Sequence, residues 1–297
     1  MLPEALRPPV YAGDFPDPFV LPVGPRYFAY ATQTGALNIQ VMASADLAAW
    51  EHLGDALPVL PSWARPGRTW APSALRRDGI YVLYYTVRDR RSDRQCISLA
   101  VADAPQGPFH DISAGPLIVQ VDRGGSIDPS PFVDEGGTAY LLWKSDDNAI
   151  GRPSSIWGSA LSPDGLALSG EPVELLRIDR KWERPLIEAP AMVRRGDRYY
   201  LFYSGNRWES TGYGIGYAIS RTASGPFRKV TRSRPWLGTG AAVAGPGGQE
   251  FFTDRGGGIW MAFHGWAPGV VGYAAGGVRA LHLARIGFDG DVPRLRG

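Results

Sequence analysis

The sequence predicts an all-β protein, a single five-bladed β-propeller over residues 1–297. Three observations lead there. A proline-containing opening, a tight turn and an aromatic strand recur five times in that order. The recurrence has a period that accommodates one multi-stranded blade. No segment sustains helical spacing over three turns.

The openings are Asp17-Pro18, Ala71-Pro72, Asp128-Pro129, Ala189-Pro190 and Gly245-Pro246, so successive prolines lie 54, 57, 61 and 56 residues apart. A short apolar run follows each opening and ends in a turn, as at Val23-Gly24, Asp78-Gly79, Gly136-Gly137, Gly196-Asp197 and Gly256-Gly257. Glycine supplies the positive φ that tight hairpins need. Aromatic strands come next, at 27–30, 81–85, 140–143, 199–203 and 259–263. Third strands such as 97–102 and 215–219 complete the inner part of a blade. Gly107-Pro108-Phe109, Gly225-Pro226-Phe227 and the segment 44–50 lead towards outer strands, the last forming one helical turn at most. Near-continuous apolar strands fit sheets covered on both faces by neighbouring blades. Ring closure is expected to pair 280–284 with the segment around Pro9-Val10-Tyr11. A β-sandwich or jelly roll also uses many short strands, but neither accounts for five repeats in fixed order.

Apolar residues make up 44% of the chain, enough for a sizeable core. The 10 Trp favour strands and sugar-stacking surfaces. A net charge of +2 gives no electrostatic case for nucleic acid or an anionic membrane. The run Arg88-Asp89-Arg90-Arg91-Ser92-Asp93-Arg94 reads first as a solvated loop tip, and second as a rim that reaches substrate. Cys96 is alone, so no internal disulfide forms. No run approaches the ~18 apolar residues of a membrane span. The N-terminus, with Pro3, Glu4 and Arg7, lacks the apolar stretch of a signal peptide. A cytoplasmic location is therefore expected, or a secreted one if a leader has been removed.

Acids stand at three of the openings. Asp17 and Asp128 directly precede their prolines, while Glu188 lies two residues before Pro190. First strands of propeller blades line the central channel, so these acids are expected to converge. Channel acids are also found merely solvated, or around a structural cation. The one-residue offset of Glu188 would flip its side chain across a regular strand unless a bulge restores its aim.

The motifs Pro16-Asp17-Pro18, Trp70-Ala71-Pro72, Ile127-Asp128-Pro129-Ser130 and Glu188-Ala189-Pro190 come in one order along nearly the whole chain. With Trp143-Lys144-Ser145-Asp146 and the 44–50 turn, the chain resembles glycoside hydrolase family 43, the arabinofuranosidases, arabinanases and β-xylosidases. The resemblance implies a five-bladed propeller with Asp17 as general base, Glu188 as general acid and Asp128 as the residue that tunes and orients the acid. It also implies inversion. Related retaining propellers carry an Asn-Asp-Pro-Asn pattern where this chain has Pro16-Asp17-Pro18-Phe19.

Further pocket residues follow from the same resemblance. Trp70 is expected at a sugar face, with packing between blades as the other reading. Arg279 is similar to a family arginine that contacts substrate hydroxyls, and otherwise reads as an exposed strand-edge residue. His264 and Gln249 are expected to touch substrate, although a lone histidine is more often structural. Many relatives carry a histidine near Gly248-Gln249 that helps hold water or calcium in the channel; its loss here makes a metal doubtful. No cofactor is expected. No other His/Cys spacing reads as a metal site, and no glycine-rich loop reads as a phosphate cradle.

The expected activity is release of a terminal pentofuranose from oligosaccharides or polysaccharides by an inverting, exo-acting α-L-arabinofuranosidase. β-Xylosidase, endo-arabinanase and galactofuranosidase activities are alternatives within the family. A non-catalytic carbohydrate-binding propeller is the alternative of another class, and it would be expected to lack an acid or base. Oligomeric state is not legible.

Overall fold

The structure is a computed structural model that describes residues 6–296. Pro3 and Glu4, read above for targeting, lie outside the described residues. Five sheets follow one another along the chain. Blade 1 holds β1 (Phe19–Val23), β2 (Arg26–Ala31), β3 (Gln40–Ser44) and β4 (Glu51–Asp55). Blade 2 has three strands, β5 (Ala64–Arg77), β6 (Ile80–Asp89) and β7 (Gln95–Ala102). Blade 3 comprises β8 (Ser126–Val133), β9 (Ala139–Ser145), β10 (Ser155–Ala160) and β11 (Val173–Arg177). Blade 4 is β12 (Ile187–Arg195), β13 (Arg198–Gly205), β14 (Gly214–Ser220) and the short β15 (Arg228–Lys229). Blade 5 is β16 (Ala244–Thr253), β17 (Ile259–Trp266), β18 (Ala280–Asp289) and β19 (Val292–Arg296). Each sheet is an antiparallel meander. The architecture is the expected five-bladed propeller.

Apolar residues sit between blades, as near-continuous apolar strands require. One buried cluster joins blades 1 and 2 through Phe19, Tyr30, Leu83 and Tyr85. Others join blades 2 and 3, 3 and 4, and 4 and 5. Val20 and Tyr27 of blade 1 meet Phe252 and Leu283 of blade 5 and complete the ring. The N-terminal segment closes it as expected. Val10 N–H donates to Leu281 O at 2.9 Å, and Leu281 N–H returns to Tyr11 O at 3.0 Å. The 44–50 segment forms no helix; Asp46 Oδ1 instead accepts the N–H groups of Ala48 and Ala49.

The openings share one backbone device. On β8, Ile127 pairs with Lys144, but the next pair is Ser130 with Leu142, so Asp128 and Pro129 bulge out. The same slip leaves out Ala71-Pro72 on β5 and Ala189-Pro190 on β12. In blade 1, Thr32 N–H donates to Pro16 O while Phe19 pairs with Tyr30, which leaves out Asp17-Pro18. The first bulged residues all take positive φ: 53° at Asp17, 43° at Ala71, 57° at Asp128 and 49° at Ala189. Such values are uncommon for residues with a Cβ.

Blade 5 corrects one expectation. Gly245-Pro246 does form a bulge, between the pairs Ala244–Trp266 and Gly247–His264. A second bulge follows at once, between Gly247–His264 and Glu250–Ala262. The channel residues of blade 5 are Gly248 and Gln249 in that second bulge, with φ of 59° at Gly248. Proline spacing pointed to the first bulge because the second contains no proline.

Candidate active site

The bulges surround a small cavity on the propeller axis. Asp17, Ala71, Asp128, Ala189, Gly248 and Glu250 contribute to its lining. Glu188 stands at the last paired position before the bulge of β12, the position that Ile127 takes on β8 and Trp70 on β5. The bulge breaks strand alternation. Glu188 and Asp128 therefore meet although their sequence positions are offset: Ala189 N–H donates to Asp128 Oδ2 at 2.9 Å.

Asp17 is held on several sides. Thr32 Oγ1 donates to Asp17 Oδ2 at 2.6 Å and accepts Ala71 N–H at 2.9 Å. Arg279 Nη1 lies 3.5 Å from Asp17 Oδ1. Burial disfavours the charged carboxylate, but the Arg279 charge, the His264 ring 3.3 Å from Oδ1 and the Thr32 hydrogen bond together outweigh it. The Asp17 carboxyl is thus kept well below the usual carboxylate range and stays ionised.

His264 belongs to the same cluster. Its Nδ1 lies 3.0 Å from the Asp17 backbone N and 3.3 Å from Asp17 Oδ1. Burial lowers its pKa, with the Asp17 carboxylate pulling the other way. The ring stacks on Tyr213, with centroids 6.0 Å apart and planes 7° from parallel. A Cβ on Gly248 would lie 2.5 Å from His264 Cε1 and Nδ1 and 2.9 Å from Asp17 Oδ1. His264 thus fills the space that a side chain at Gly248 would need.

Glu188 is fully partnered. Lys144 Nζ donates to its Oε2 at 3.1 Å and Tyr213 Oη donates to its Oε1 at 2.8 Å. Lys144 also pairs with Asp146 at 3.3 Å. Burial opposes the Lys144 charge, but Glu188, Asp146 and Asp128 together keep it firmly protonated. Burial, followed by the charge of Glu188, pushes the Asp128 carboxyl up to about 8 against the pull of Lys144. Near neutral pH, Asp128 therefore holds a proton beside Glu188 while Asp17 holds none.

The other expected pocket residues divide. Arg279 is buried rather than an exposed edge residue. Its guanidinium lies 4.5 Å above the Trp208 ring, and its Nε donates to Tyr273 Oη at 3.1 Å. Tyr273 Oη in turn donates to Asp14, whose Oδ1 accepts Arg279 N–H at 2.9 Å. Trp70 is half-buried at the mouth of blade 2, next to Ala71. Gln249 lines the cavity with its amide already engaged. Its Nε2 donates to Ala189 O at 2.6 Å and its Oε1 accepts Ser204 Oγ at 2.8 Å, so both amide atoms tie blade 5 to blade 4.

Sequence reasoning missed Tyr213, Thr32, Trp208, Tyr273 and Glu250. Tyr213 and Trp208 lie in the β13–β14 connection, where no repeat marks them. One signal was present for Tyr213. Gly247, in a glycine-rich bulge, has no room for a Cβ, which would lie 2.0 Å from Tyr213 Cε1.

The donor set does not fit a channel metal. Among the described residues no three His, Cys, Asp or Glu side chains gather as ligands. In blade 5, Gly248 offers no side chain to the cavity and Gln249 offers a neutral amide.

Glu250 also lines the cavity, and burial pushes its carboxyl up to about 8, with the Ser130 hydroxyl opposing. The folded chain therefore keeps a proton there that the unfolded chain releases above about pH 4.5. This contribution to stability is present below that pH and is lost as pH rises towards 8. Glu250→Gln should gain melting temperature relative to the parent as pH rises from 5 to 9, read by thermal denaturation across that range. Parallel curves for the two proteins would contradict the assignment.

Comparison with known proteins places the fold among glycosidases. A β-D-galactofuranosidase of Aspergillus niger is 25% identical over 82% of this chain and 74% of its own. An extracellular exo-α-(1→5)-L-arabinofuranosidase of Cellvibrio japonicus is 26% identical over 73% of this chain and 67% of its own. The crystal structure of a thermostable family-43 glycoside hydrolase superposes with a TM-score of 0.84 and 30% identity, covering 96% of this chain and 93% of the other. An endo-1,4-β-xylanase from Bacteroides thetaiotaomicron superposes at 0.82 with 27% identity, covering 97% and 96%. The family model for glycosyl hydrolases family 43 matches residues 6–292. With that match across all five blades, the chain belongs to glycosyl hydrolases family 43.

Proposed function

We propose that this family 43 glycosidase is an inverting, exo-acting α-L-arabinofuranosidase. The observation that carries the mechanism is the convergence of three carboxyls at one cavity: Asp17 is kept ionised beside Arg279, and Asp128 accepts the N–H of Ala189 next to Glu188. A group that accepts a proton and a group that donates one, held at a single site, are what acid–base division of labour requires.

In this reading Asp17 takes a proton from water as the water attacks the anomeric carbon. Glu188 donates a proton to the departing glycosidic oxygen. Lys144 and Tyr213 both donate to Glu188 and fix its carboxyl in place beside Asp128. Arg279, fixed by Tyr273 and Trp208, holds Asp17 ionised and faces the sugar hydroxyls. The arabinofuranoside preference draws on the Cellvibrio japonicus relative, and the completeness of the acid set favours catalysis over carbohydrate binding alone.

Asp17 and Glu188 come from blades 1 and 4, on opposite sides of blade 5. Inversion needs about 6.5–9.5 Å between the two carboxyl groups, which leaves room for the attacking water. The first product of hydrolysis should therefore be the β-anomer from an α-L-arabinofuranoside. Proton NMR in the first minutes, before mutarotation, reads this directly. Release of the α-anomer would remove Asp17 as base. No turnover on any aryl furanoside or pyranoside, with sugar binding intact, would instead favour the binding module.

A further inference from the structure

The arginine-rich run noted in the sequence stands close to the acids. Thr86 of β6 pairs with Trp70, and its Oγ1 is the acceptor for Asp128 N–H at 3.1 Å. Arg88 lies two residues further along β6 on the same face, a rise of ~7 Å. It is near enough to Asp146 to feel its charge. Arg65 pairs with Arg88 across the sheet, which brings the start of β5 and the β6–β7 loop together beside the pocket. Gln95 Nε2 donates to Arg68 O at 3.2 Å and fastens the two parts.

This corner concentrates charge. It holds Arg65, Arg68, Arg88, Arg90, Arg91 and Arg94 against only Asp89 and Asp93, a formal excess of four in a chain of net charge +2. Asp89 is occupied in the loop, accepting Arg91 N–H and Ser92 N–H. Asp93 is already shared by Arg88 at 2.9 Å and Arg65 at 3.2 Å. Among the described residues, Arg68, Arg91 and Arg94 have no carboxylate partner, and Arg68 and Arg91 are exposed. The cluster thus cradles one carboxylate of its own and has guanidinium groups left over. A planar fork of N–H donors matches a second carboxylate bidentately.

We propose that the blade 2 rim is a subsite for an anionic sugar, so that the preferred substrate is an oligosaccharide bearing a uronate carboxylate next to the sugar that is released. This rests on the glycosidase reading of the neighbouring pocket. Arginine recognises the carboxylate, while Trp70 on the same strand offers a ring to the sugar face.

Two measurements keep the subsite and the catalytic reading apart. Binding is measured calorimetrically with Glu188→Gln, using glucuronate- and galacturonate-bearing oligosaccharides, their carboxyl-reduced counterparts and a sulfated analogue. Turnover is measured separately on a neutral aryl α-L-arabinofuranoside. A uronate form should bind at least tenfold tighter than its reduced counterpart. That preference should shrink at 0.5 M salt and vanish in Arg68→Gln/Arg91→Gln/Arg94→Gln, whose turnover of the aryl furanoside should stay within twofold of the parent. Equal binding of acidic and reduced forms, or binding of neither, overturns the subsite, and a preference for the sulfated analogue overturns its assignment to carboxylate. Loss of aryl furanoside turnover in the parent protein would count against the furanosidase reading alone.

Discussion

Glu188→Gln should lower kcat/KM on unactivated arabinofuranosides by about 10²–10⁴-fold, the range of general acid catalysis. Glutamine is close in shape and still accepts from Lys144 or Tyr213 through its carbonyl oxygen, so the fold should persist. The loss should shrink sharply on aryl furanosides with acidic phenols, which depart without protonation. A plot of log kcat/KM against leaving-group pKa should therefore steepen in the variant. An equal loss on good and poor leaving groups would remove Glu188 as the acid.

Asp17→Asn should be as damaging in size but different in kind. Asparagine keeps the hydrogen bond from Thr32 yet cannot take a proton from water. The attacking step is slowed whatever the leaving group, so the loss should be about the same across the aryl series. Arg279 also loses its counter-charge, which shifts substrate affinity as well as rate. Recovery of the parent rate with a good leaving group would show that Asp17 does not activate the nucleophile. The two variants are thus told apart by slope rather than by size.

The fold was legible because each blade repeats its own punctuation. Proline marks the bulge, glycine marks the hairpin, and aromatic runs mark the second strand, so four of five openings were placed to the residue. Blade 5 was displaced by three residues because its channel bulge uses Gly248-Gln249, where glycine alone satisfies the backbone and no proline advertises it. The acids were legible for the same reason, since Asp17 and Asp128 sit inside proline-marked bulges. Glu188 was offset by one residue, and the bulge that could restore its aim is present at Ala189-Pro190.

The residues that partner the acids and Arg279 were harder to find. Thr32, Tyr213 and Tyr273 reach them from connections between strands, where no repeat marks a position. Gln249 shows the opposite failure. A polar side chain in the channel stretch looked available to substrate, but the backbone acceptor Ala189 O and the donor Ser204 Oγ were invisible in sequence and claim its amide.

The repeated bulge also separates chemistry from architecture. Five equivalent seats face the axis, occupied in chain order by Asp17, Ala71, Asp128, Ala189 and Gly248. The first four seats lie outside the ladder of their blade, whereas the Gly248 seat is closed to a side chain by His264. Under the proposed mechanism, with Glu188 paired just outside its bulge, moving the base among these seats would change its separation from the acid by whole blade steps, and the anomer released with it.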